Sequence, residues 1–170
     1  MKIRMKLFTL ALLFLVVSAP MASFAATVPD PAMEKKPEYL LPFPGILPDH
    51  PLWFLKAVRD GIMDRLIVDP LRKAEFHILQ ADKRLNMGVV LLEQGKRALA
   101  ETTISKGEKY MERAVSGLAA FKSTGMPVPA SIIDKLARSM EKHLEVLEKT
   151  DFTGPFEFVK KLQIEVEKLK

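Results

Sequence analysis

The chain has 170 residues, no cysteine and a formal net charge of +5. The missing thiols exclude disulfide frameworks and thiol redox chemistry. Basic and acidic residues are interleaved after the first segment, so a nucleic-acid surface has no support either.

Lys2, Arg4 and Lys6 precede an apolar run, Leu7 to Val17, and Ser23-Phe24-Ala25 supplies small residues at peptidase spacing. This order predicts a secretory signal peptide over residues 1–25, cleaved after Ala25, and an extracytoplasmic destination: periplasm, cell surface or medium. The run falls short of the ~20 apolar residues that a spanning helix needs. The segment holds three basic residues and no acid, so the chain beyond Ala25 is close to neutral. Residues 26–50 are rich in proline and read as a polar tether to about residue 40, then a collar. In the collar Pro42, Pro44, Pro48 and Pro51 keep the backbone extended, while Phe43, Ile46, Leu47, Trp53 and Phe54 give it an apolar payload. Adjacent Trp53 and Phe54 point about 100° apart on a helix. Either the collar folds back over one of them or one is left outward.

From residue 51 to 170 every pattern is helical. A first helix, about 51–67, is expected to be capped by Asp49 or His50 and to bury Leu52, Leu55, Val58 or Arg59, Ile62 and Leu66. Asp69-Pro70 starts a second, about 70–94, with Leu71, Ala74, Ile78, Ala81, Leu85, Gly88 and Leu92 on one seam. The third, about 97–123, carries Ala100, Ile104, Gly107, Met111, Ala114, Leu118 and Phe121. These two ladders are out of phase, so the chain must turn at Gln94-Gly95-Lys96 and pack the helices antiparallel. Ser123-Thr124-Gly125 stops the third helix. A fourth, about 130–149, opens with a capping-box pattern at Ser131 to Asp134 and has the seam Ile133, Leu136, Met140, His143 or Leu144, and Leu147. A fifth, about 155–169, comes after Gly154-Pro155 with Phe156, Val159, Leu162, Val166 and Leu169. The predicted fold class is all-α: an elongated antiparallel helical hairpin extended into a four- to five-helix bundle behind a proline-rich collar.

The run Leu41 to Lys56, with Asp69-Pro70, Lys73-Ala74-Glu75 and Ala81 to Leu85, resembles the exported family catalogued as domain of unknown function 5667, over about residues 40–125. The resemblance implies an exported helical domain and carries no functional residues across.

Chemistry-bearing motifs do not emerge. Glycine-rich phosphate loops, nucleophile elbows and paired histidines are absent from the sequence. His50, His77 and His143 lie far apart. Asp60 and Asp64 share one helix face and Glu141, Glu145 and Glu148 another, and Asp60, Asp64 and His77 are the combination on which an unrecognised acid–base activity would be built. No catalytic, cofactor-binding or metal-ligating residue is therefore assigned, and no cofactor. The expected function is a non-catalytic interaction module, an adaptor or scaffold at the cell envelope, that meets a protein partner through Phe43, Ile46, Leu47, Trp53 and Phe54. Two other readings remain. One is a chaperone using Met63, Met87, Met111, Met126 and Met140 as an adaptable face. The other is peripheral membrane contact through the basic end at Lys160, Lys161, Lys168 and Lys170.

Overall fold

At Gly95 the chain reverses. Gly95 adopts φ +75°, a region in which a Cβ is strained. Its N–H donates to Leu92 O (2.8 Å) and the next N–H, of Lys96, donates to Leu91 O (2.8 Å). This paired 5→2 and 6→1 arrangement closes a helix and releases the chain in a new direction. The computed structural model describes residues 38–169; the signal and tether expectations up to residue 37 lie outside them. Five helices are present among the described residues: α1 (Trp53–Leu66), α2 (Pro70–Glu93), α3 (Arg97–Ser123), α4 (Ala130–Thr150) and α5 (Thr153–Glu167). No strand occurs among the described residues, and the all-α bundle expected from periodicity is the fold observed.

Helices α2 and α3 form the spine, roughly 36 and 40 Å long at 1.5 Å per residue. Residue pairings set their direction. Gly88 lies against Ala100 and Ile104, Gly107 lies against Ala81 and Arg84, and the His77 and Tyr110 rings are 5.8 Å apart. Rising numbers on one helix meet falling numbers on the other, so the pair is antiparallel. Helix α4 packs on α2 and α5 packs on α3, while α4 and α5 pack on each other. Lys135 faces Glu75 and Ser139 meets Asp82, so α4 runs parallel to α2. Lys122 donates to Lys168 O (2.8 Å) where α3 and α5 both end. The four form an up-down-up-down bundle. Its fully buried centre comprises Ile78, Leu85, Met87 and Leu91 from α2, Ile104, Met111 and Leu118 from α3, and Leu136, Met140 and Leu147 from α4.

Caps follow the sequence only in part. Asp69 Oδ1 accepts from Arg72 N (2.7 Å), and Pro70 occupies the first turn of α2 as expected. Helix α1 differs: Asp49 pairs with Lys96, His50 Nδ1 accepts from Leu52 N (3.1 Å), and the helix starts at Trp53 with Leu52 as its cap. Helix α4 starts at Ala130 behind Pro129, whose carbonyl accepts from Ile132 N and Ile133 N. Ser131 lies within the first turn, one residue past the helix start, so it does not hold the cap position and forms no capping box. Three of the five methionines considered for an adaptable face, Met87, Met111 and Met140, are core residues.

The largest departure is α1. Its expected buried seam, Leu52, Leu55, Val58, Ile62 and Leu66, stands exposed, and its buried residues are Lys56 and Asp60. The side of α2 that it covers presents Lys83, Arg84 and His77, and charged residues on α1 turn toward them.

The spine sets opposite expectations for two glycines. A Cβ at Gly88 would stand 2.3 Å from Ile104 Cγ1, whereas one at Gly117 meets nothing within 4 Å. Gly88→Ala should destabilise by about 1–3 kcal/mol through overpacking. Gly117→Ala should stabilise by up to about 1 kcal/mol through helix propensity. Urea melts followed by circular dichroism check both, and shifts of the same sign would contradict the packing described.

Candidate functional site: the collar, the first helix and a buried charge cluster

The collar lies along α2. Tyr39 OH donates to Asp82 Oδ2 (2.6 Å), Asn86 Nδ2 donates to Pro42 O (2.9 Å), and Asp49 pairs with Lys96 beside the hairpin turn. Gly45, at φ +75°, bends the strip. The strip thus climbs α2 to the turn, and α1 descends antiparallel to α2, with Lys56 near Arg84 and Asp64 against His77.

The five expected contact residues separate into two groups. Phe43 (82 % exposed), Ile46 and Phe54 (61 %) face outward. Leu47 and Trp53 are half-buried, and Lys56 Nζ lies 4.7 Å over the Trp53 ring. Of the aromatic pair, Phe54 is the residue left outward, while the collar folds back along α2. Sequence reasoning missed the rest of the outer face. Phe54, Val58, Ile62 and Leu66 repeat every four residues beside Leu55, and this ladder is solvent-facing. Its sequence signal was the opposite side of the helix, where Lys56, Asp60 and Asp64 form a stripe that also needed a place. Between the collar and α1 runs a groove of about 550 Å³, with Phe43, Ile46 and Leu55 as apolar walls and Lys56, Arg59 and Lys83 as cations.

The inner face of α1 is an ion-pair seam. Lys56 Nζ donates to Asp60 Oδ2 (3.0 Å), and Arg59 donates to Asp60 Oδ1 through Nε (3.2 Å) and one terminal nitrogen (2.8 Å). Burial pushes the Asp60 carboxyl up, and the hydrogen bonds from Arg59 and Lys56 outweigh it and hold it below the usual range. His77 Nε2 lies 2.6 Å from Asp64 Oδ1. His77 and Asp64 therefore come together, but Asp60 is occupied by two cations of its own helix, and the three do not converge on one reacting position.

A second cluster draws on three helices and the collar. His143 on α4 is fully enclosed, with Nδ1 2.9 Å from Glu108 Oε1 on α3 and Nε2 3.1 Å from Asp82 Oδ1 on α2. Ser139 Oγ donates to Asp82 Oδ1 (2.5 Å), and Tyr39 donates to the other oxygen. Burial by itself would lower the imidazole pKa. The charge of Glu108, the hydrogen bonds that the imidazole donates to both carboxylates and the charge of Asp82 overcome it and raise His143 to about 9. Burial and the Asp82 carboxylate likewise push the Tyr39 hydroxyl up. Glu108 Oε2 has no hydrogen-bond partner among the described residues. The arrangement is a closed charge lock in which a protonated imidazole bridges two helices. Sequence spacing did not reveal it, because the partners lie 35 and 61 residues away.

No group of His, Asp and Glu that could hold a metal ion occurs among the described residues. None of the described helices is long and apolar enough to cross a membrane.

An all-α bundle with a collar strapped along its spine is the class of protein that these features define. The chain belongs to the domain of unknown function DUF5667, which matches residues 45–153. The match runs past the roughly 40–125 read from the motifs and takes in α4, the helix that carries His143. No curated protein and no solved structure matches the chain.

The His143 lock sets a pH dependence. Its folded pKa lies above the unfolded value near 6.5, so its stabilisation is fully present below pH 6.5 and is lost as pH rises through about 9. The loss should be about 3 kcal/mol, at 1.36 kcal/mol per pKa unit. Thermal melts between pH 6 and 10 should show the decline, and the ring proton resonances of His143 should titrate near pH 9. Titration near 6.5 would mean that the imidazole is not held between two carboxylates.

Proposed function

We propose that the protein is an exported, non-catalytic helical interaction module of the cell envelope, whose contact surface is the outer face of α1 with the collar groove. One observation carries this reading. Lys56 (9 % exposed) and Asp60 (3 %) are buried, while Val58 (56 %) and Leu66 (68 %) stand in water. Fully burying a large aliphatic or aromatic side chain is worth about 1.5–3 kcal/mol. A helix that forgoes this along its whole length keeps its apolar face for something outside the domain. Export is supported by the basic start, the apolar run to Val17 and the small residues ending at Ala25. A non-catalytic role is supported by the way the His–carboxylate pairs are used: His143 is enclosed and holds helices together, and Asp60 is neutralised by its neighbours.

A photo-crosslinking residue at Val58 should capture a neighbouring envelope component in intact cells. The same residue at Ser116, exposed on α3, should capture little. Equal labelling from both positions, or none from Val58, would remove α1 as the contact face.

A further inference from the structure

We infer that the surface α1 meets is an anionic phospholipid interface; this rests on α1 being the contact face and names its partner. Three features of the face point the same way. The first is charge. Of the five charged residues of α1, both carboxylates turn inward, Asp60 to Lys56 and Arg59, and Asp64 to His77. The outer apolar ladder is flanked by Arg59 on one side and Arg65 on the other, and the adjoining groove adds Lys83. Arg65 and Lys83 have no carboxylate partner among the described residues. An exposed apolar helix face bordered by arginine and free of outward acids is the pattern of a helix lying in a lipid headgroup layer. The Arg65 guanidinium can answer phosphate in two-point hydrogen bonds, whereas Arg59 already shares Nε and one terminal nitrogen with Asp60 and adds its remaining terminal nitrogen.

The second feature is what the face lacks. From Phe54 to Leu66 there is no Ser, Thr, Asn, Gln or Tyr. A specific protein interface carries about one hydrogen bond per 100–200 Å². This face offers apolar groups and arginines only, which suits a fluid surface of acyl chain and phosphate. A second copy of the chain fits poorly: pairing the face with itself would gather four arginines and no outward carboxylate.

The third feature is shape. Helix α1 takes no substantial part in the helix–helix packing of the bundle. It lies on the outside of α2 as a convex rod of about 21 Å. Phe43 and Phe54 project at its N-terminal end, beside a groove of about 550 Å³ that places Arg59 and Lys83 opposite Phe43 and Ile46. Laid flat, the ladder enters the headgroup boundary by the ~5–10 Å typical of interfacial helices. The groove then receives a headgroup, with its phosphate on the cations and its glycerol ester end against the aromatic wall.

Flotation of the full chain with vesicles tests this. Binding should be strong to mixed phosphatidylcholine–phosphatidylglycerol vesicles and weak to phosphatidylcholine alone, and it should fall as salt is raised. Ile62→Glu should weaken binding on the order of tenfold or more by removing buried apolar area. Arg65→Gln and Lys83→Gln should each weaken it about fivefold. All residues ahead of Glu38 are the same in these variants, so differences report α1 and its groove. Equal flotation of wild type and Ile62→Glu, or no preference for anionic vesicles, overturns the lipid assignment. If Ile62→Glu instead abolishes self-association in sedimentation velocity, or removes a Val58 crosslink to a protein, with flotation unchanged, the lipid assignment fails and α1 stands as the contact face. If it changes none of the three, both readings fall.

Discussion

An imidazolium enclosed between two carboxylates holds this bundle in register. His143 bridges Glu108 on α3 and Asp82 on α2, and Asp82 also takes hydrogen bonds from Ser139 and from Tyr39 of the collar. Burying charges is expensive, and removing one member of a buried ion pair typically destabilises by about 3–5 kcal/mol, because the remaining charge loses its partner. The cluster therefore penalises any arrangement in which α4 slides along the spine or the collar lifts from it. A purely apolar seam of Leu, Ile and Met tolerates such slippage more readily, since hydrophobic burial is non-directional.

The position of α1 follows from the same anchor. Tyr39 fixes the start of the collar at Asp82, Asn86 holds the Pro42 carbonyl, and the Asp49–Lys96 pair brings the strip to the hairpin turn. The chain can then return only along the outside of α2. There it meets Lys83, Arg84 and His77, a cationic and imidazole-bearing surface. Asp60 and Asp64 are drawn inward, Lys56 comes with them to neutralise Asp60, and the apolar ladder is left outside. Burying ion pairs beneath an exposed aliphatic stripe is unfavourable for an isolated domain. It becomes favourable once the stripe is covered, which is why this inversion supports a docking role for α1.

Much of the architecture was legible in local sequence. The two ladders of α2 and α3 change phase near residue 95, and a positive-φ glycine with its paired hydrogen bonds sits there. Asp69-Pro70 and Gly125 mark a start and a stop where the structure has them. The seams of α3, α4 and α5 are buried almost as their spacing implies. The caps of α1 and α4 were not legible, because Asp49 pairs with Lys96 and α4 starts one residue ahead of Ser131. The lock at His143 was invisible for a related reason: each of its contacts joins residues on different helices, and spacing along one helix carries no record of them.

Composition and periodicity alone determined that the chain is helical, where it doubles back, and which stripes on the four bundle helices are apolar. These properties are local, since helix propensity, capping and a 3.6-residue period act within a few turns. Tertiary structure decided which side of α1 faces inward and what His143 holds. An amphipathic helix has two stripes, and the side that is buried depends on the surface it lands on. For α1 that surface was charged, and electrostatic pairing overrode the usual preference for burying the apolar stripe.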